Sequence, residues 1–168
     1  MNRKWNFLLL SALVAATLVV GVDYDTIQSQ TASYDSGDIA WMVVASAFVL
    51  LMTPGLALFD GGMVNKKNVI STMLQSFVAL GVISVVWVAV GFSLCFGDSI
   101  GGIIGDPRTY LAFRNVGLVP NGDFSETIPF LLFALFQLKF AIITPALITG
   151  SFAGRIRFRA YILFMVLF

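Results

Sequence analysis

Apolar positions gather into long runs separated by short polar segments. The first run, Phe7 to Val22, follows Arg3 and Lys4 and holds 16 residues. A bilayer span takes about 20. A basic start and a short apolar run fit the core of a signal peptide over residues 1–22, although no clear A-x-A site follows; a retained N-terminal helix is the alternative. Residues 23–38 are polar and carry four aspartates, which reads as an exposed outer segment. The next runs have spanning length: Ile39 to Phe59, then Val69 to Phe96, then residues 128–153. The second of these exceeds what a span needs, so it tilts or extends beyond the bilayer. Residues 97–127 form a glycine-rich loop, and an apolar run starting at Ala160 begins a fourth span without completing it. The expected fold is an all-α membrane protein, a polytopic bundle of transmembrane helices of which about three are complete.

The third span carries the most chemistry. Phe133, Phe136, Gln137, Phe140 and Thr144 recur at i, i+3, i+4, i+7 and i+11, so they share one face. In a chain with 16 phenylalanines, such a stripe is expected of a packed core. The alternative is an aromatic constriction. Ring faces attract a small cation by up to about 2 kcal/mol when desolvated. They do not replace hydration, because burying an ion costs on the order of tens of kcal/mol. A face of this kind recruits a cation and still blocks it while it is charged. Lys139 is also near mid-span, where insertion costs about 3 kcal/mol. It lies about 100° from Leu138 and Phe140 on the helix, off the stripe. Its expected role is helix or subunit packing, with the amine snorkelling or paired to a carboxylate elsewhere.

Composition agrees with the pattern. Hydrophobic residues make up 58% and charged residues 11%, against about 25% charged in soluble domains. Histidine is absent, which excludes a His-based metal site or catalytic triad in this chain. The single Cys95 forms no disulfide within the chain; set between Leu94 and Phe96, it reads as a buried apolar filler. The run GGIIG lacks the GK[ST] ending and Rossmann spacing of phosphate-binding loops. With no nucleophile–base pair in view, an enzyme is not expected, and no cofactor is implied. A net charge of +1 without a basic run gives no reason to invoke nucleic acid. Lys66, Lys67, Arg155, Arg157 and Arg159 fall in two short loops, while every acid but Asp60 falls on the other side. The positive-inside rule then places residues 23–38 outside.

Three ordered stretches carry a family resemblance. FQLKFAIITPALITGSFAGRIRF resembles the third transmembrane helix of the ammonium transporter family (Amt/Mep/Rh). LMTPGLALFDGGMVNKKNVISTMLQSF is similar to the family's first helix, inner loop and second helix, and WVAVGFSLCFG to the end of the second. The matches run from about Ile39 to Phe158. The resemblance implies transport of ammonium or ammonia across a cell membrane. Phe140 would be the third-helix ring of the family's outer aromatic gate, with Phe136 and Gln137 beside it near the outer vestibule. It also implies about eleven spans per subunit, a homotrimer with one pore per subunit, and docking of PII-type signalling proteins on the inner face. The family's pore histidines and the second gate ring have no counterpart here, so the expectation is the N-terminal part of a longer transporter. Asp60 stands where the family commonly has an aromatic residue, and Gly154 where it has an acid. Asp60 is expected either to pair with Lys66 or Lys67 or to disturb packing. A non-transporting ammonium sensor or accessory membrane module is the alternative function.

Overall fold

The structure, a computed structural model, describes residues 33–167. The proposed signal segment at residues 1–22, and the outer segment up to residue 32, lie outside the described residues. Helix α1 is Ser36–Met63, α2 is Val69–Val86, and α4 is Phe130–Phe152. After α2 the chain passes through a π-helical stretch, Trp87–Gly91, into the short α3, Phe92–Phe96. Strands β1 (Ser99–Ile100) and β2 (Ile104–Gly105) and a 3-10 turn, Leu111–Phe113, fill the loop before α4, and α5 is Phe158–Leu167. Among the described residues, three helices are long and apolar enough to cross a membrane: Ser36–Met63, Val69–Phe96 and Phe130–Phe152. The first starts three residues before the apolar run, where Asp35 caps it, and ends four after it, where the chain turns extended at Val64.

The chain divides into two compact units. The larger is helical and comprises the described residues up to Trp87 and from Gly117 onward. In it α1, α2 and α4 pack against one another, and α5 packs on α2. Small side chains set the approach: Ala57, Ala79, Ala134 and Ala146 are at most 1% exposed. In hydrocarbon, where apolar contact alone does not drive association, such residues let backbones come close. Gly61 is buried, and a Cβ there would lie 2.8 Å from Cγ of Met73.

Polar contacts fix the start of this unit. Asp35 caps α1, its Oδ1 accepting from the amides of Gly37 at 2.7 Å and Asp38 at 3.1 Å. The Thr127 hydroxyl donates to Asp38 Oδ2 at 2.6 Å, and the Asp35 amide donates to the Thr127 carbonyl at 3.0 Å. The Tyr34 hydroxyl donates to the Leu118 carbonyl at 3.1 Å. Tyr34 and Asp35 are therefore tied into the fold and are not part of a free linker. Helices α1 and α4 begin at the same end and pack on each other as well as on α2. Just past the end of α2 and in the first turns of α4, the indole N–H of buried Trp87 donates to the Ala134 carbonyl at 3.2 Å. Trp87→Phe, assayed in a thermal melt of the full-length protein in detergent, is expected to cost about 1 kcal/mol, the scale of a hydrogen bond between membrane helices.

The smaller unit contains Val88–Val116. Phe92, fully buried, anchors it: its ring centroid lies 5.1 Å from Phe96, 5.4 Å from Tyr110 and 5.5 Å from Phe113. Ser93 is its polar hub, donating to the Asp106 carbonyl at 2.7 Å and accepting from the Tyr110 amide at 2.9 Å. Cys95 is exposed, not buried as its apolar neighbours suggested. Phe92 and Ser93 turn one side of α3 toward the loop, and Cys95 is on the other.

Candidate functional site: the open face of helix α4

Helix α4 has two faces. Phe130, Ala134, Leu138, Ile142, Ala146 and Thr149 are buried. Phe136 and Gln137 are half-buried, and Phe140 and Thr144 are exposed. The rows starting at Ala134 and Phe136 both step by four residues and lie about 200° apart around the axis. The phenylalanine stripe is therefore not the face on which α1 and α2 pack.

The stripe also splits in two. At the start of α4, Phe133 joins Phe130 and Phe124 in a stacked trio with centroids 6.0–6.2 Å apart. One turn on, Phe136 and Phe140 meet edge to face, with centroids 5.1 Å apart and planes at 73°. This arrangement places the positive rim of one ring on the negative face of the other. Phe140 is 41% exposed, so ring surface remains for another group. Gln137 is on the same turn of the helix as Phe136. The sequence-derived candidates Phe136, Gln137 and Phe140 are thus brought together, while Phe133 belongs to the loop-end cluster.

Thr144 donates from Oγ1 to the Phe140 carbonyl at 2.7 Å. Pro145 follows inside the helix, and a proline there supplies no backbone N–H and bends the axis. The Thr144 hydroxyl is spent within α4. Lys139 is half-buried and lies between the two faces.

A second polar region lies at the Lys66 end; the sequence marked Asp60 there but not its grouping with polar residues of α2. Thr72, Gln75 and Ser76 are buried along one face of α2, and Asp60 is only 9% exposed. Asp60 Oδ2, Gln75 Oε1, Ser76 Oγ and Thr53 Oγ1 have no hydrogen-bond partner among the described residues. Asp60 does not pair with Lys66 or Lys67 through that oxygen; both lysines are exposed. It borders a cavity of about 300 Å³ together with Asn65, Asn68 and Thr72. Gly154 adopts φ +71°, and a Cβ there would lie 3.1 Å from Asn68 Nδ2. The two departures from the family pattern thus adjoin one region. The available signal was the i, i+3, i+4 spacing of Thr72, Gln75 and Ser76, all polar inside an apolar run.

Three helices of spanning length with apolar surfaces define a helical integral membrane protein. Residues 40–168 match the model of the Ammonium Transporter Family, and the chain belongs to that family. It is 45% identical over 143 residues to an ammonium transporter of Mycobacterium tuberculosis, covering 77% of this chain and 30% of that one. It is 48% identical over 138 residues to an ammonium transporter of Aquifex aeolicus, covering 81% and 32% respectively. The crystal structure of Saccharomyces cerevisiae Mep2 superposes with a TM-score of 0.69 at 34% identity, covering 80% of this chain and 30% of Mep2. The chain spans about a third of the length of these curated relatives.

Proposed function

We propose that the protein carrying this chain moves ammonium or ammonia across a membrane, with Phe140, Phe136 and Gln137 at the outer end of its pathway. One observation carries the assignment of these residues: the Phe136–Phe140 pair lies on the face of α4 turned away from α1 and α2, with 41% of Phe140 exposed. This face takes no part in the packing of α4 on α1 and α2. An exposed ring pair beside an amide offers π surface to a cation and a dipole to its N–H groups. The apolar surroundings disfavour passage of the charged form, so ammonium gives its proton to water at the outer end and neutral ammonia crosses.

In this reading the described N-terminal end faces outward, the Lys66 and Arg155 loops face the cytoplasm, and the protein resides in the plasma or inner membrane. Residues 1–22 act as a signal peptide. The complete protein assembles as a homotrimer and serves nitrogen uptake, and its inner face is the docking surface for a PII-type signalling protein. It has no enzymatic step. Methylammonium uptake by cells expressing the full-length protein, competed by ammonium, tests the function. Binding without uptake would favour the sensor reading instead.

Lys139→Met is expected to leave uptake at the parental level, since Lys139 stands off the stripe. Uptake lost at unchanged protein level and melting temperature would place the amine in the pathway.

A further inference from the structure

At the Lys66 end of the bundle, α1 finishes on an acid. Asp60 stands in the last turn of Ser36–Met63, and that turn holds no basic residue. A helix C-terminus already carries partial negative charge from carbonyls without intrahelical partners, and it favours cations. A carboxylate there adds to the negative potential. Asp60 is also buried, with Oδ2 unpartnered among the described residues. A buried carboxylate is strongly disfavoured unless it is paired.

The space beside it suits a small counter-ion. Asp60 lines the cavity of about 300 Å³ with the neutral polar Asn65, Asn68 and Thr72 on one part of the wall and the apolar Met63, Val64 and Ala153 on the rest. Gly150 keeps one wall low: a Cβ there would lie 3.9 Å from Asp60 Oδ1. A calcium-type ion takes 6–8 oxygens, commonly from several carboxylates. No cluster of three or more His, Cys, Asp or Glu occurs among the described residues. One carboxylate beside three neutral polar side chains, with no second charged residue in the lining, matches a single positive charge. Lys66 and Lys67 are exposed and line no part of the cavity.

We propose that Asp60 and this cavity bind a small monovalent cation, an alkali ion or ammonium, at the cytoplasmic end of the bundle. The site is distinct from the α4 stripe: ten residues separate Phe140 from Gly150, about 15 Å along the helix. The inference stands on the cavity and the carboxylate, and does not depend on the role given to Phe140.

The test is a melting experiment on the full-length protein in detergent. Wild type and Asp60→Asn are compared in choline chloride and in sodium, potassium or ammonium chloride at equal ionic strength. The wild type is expected to melt a few degrees higher in at least one of the three salts than in choline. Asp60→Asn is expected to lose that increment while melting in choline at or above the wild-type temperature. An Asp60-dependent increment with sodium or potassium identifies an alkali-ion site, and one with ammonium alone identifies a second ammonium site. The proposal is overturned by a wild type that melts identically in all four salts, or by an Asp60→Asn protein that keeps every increment. Should Asp60→Asn not yield folded protein, Thr72→Val provides the comparison. Its half-saturating salt concentration is expected to rise several-fold, and an unchanged value would overturn the site.

Discussion

Gly105→Ala is expected to destabilise the loop unit by about 3 kcal/mol, the range reached when a substitution forces overpacking at a site that cannot yield. A Cβ at position 105 would lie 2.5 Å from the Ser93 carbonyl oxygen and 2.8 Å from that of Leu94. Both obstacles are backbone, so no side chain can rotate away. Ser93 is further pinned by its hydrogen bonds to Asp106 and Tyr110. Moving its backbone would strain both bonds and disturb the ring cluster around Phe92. Gly105 also pairs with Ser99 across the short hairpin, so shifting β2 instead would cost that register. A melt of the full-length variant in detergent, with yield of folded protein as a second readout, checks this. An unchanged melting temperature would mean that β2 is not held against α3.

Phe140→Ala is expected to raise the half-saturating concentration for methylammonium uptake by up to about 30-fold. That factor corresponds to about 2 kcal/mol, the upper range for a desolvated ring–cation contact. Phe140 is 41% exposed among the described helices; a melt of the same variant, at unchanged protein level, separates loss of recruitment from loss of packing. Phe140→Leu separates the two properties of the ring: it keeps apolar bulk and loses the π face. If recruitment is electrostatic, leucine and alanine should weaken uptake alike. Should leucine restore the parental value, the ring acts by shape. Should both variants transport normally, Phe140 is off the pathway.

Helix-level structure was largely legible in the sequence because hydrocarbon imposes one rule: a spanning backbone must satisfy its own hydrogen bonds. Runs of apolar residues between charges thus mark helices directly. The exact ends were less legible. Asp35 lengthens α1 by capping it, and Pro129 stands at the N-terminal boundary of α4. A π-helical stretch at Trp87–Gly91 left no mark on hydropathy. The α4 stripe was visible as spacing, but spacing cannot say which neighbour a face meets. Cys95 shows the same limit, since apolar neighbours in sequence were no guide to the side of α3 that packs.

The sequence by itself determined that this is a membrane-spanning helical protein, which helices it has, and which residues share a face. These follow from hydropathy and the 3.6-residue period, both local properties. Only the tertiary structure decided that α4 packs through Ala134, Leu138 and Ile142 and leaves Phe136 and Phe140 open. Only it placed Asp60 beside Asn68 and Thr72 instead of against a lysine. The physical reason is common to both: burial and pairing depend on what other helices bring to the same place, and that depends on the assembled bundle rather than on neighbouring residues in the chain.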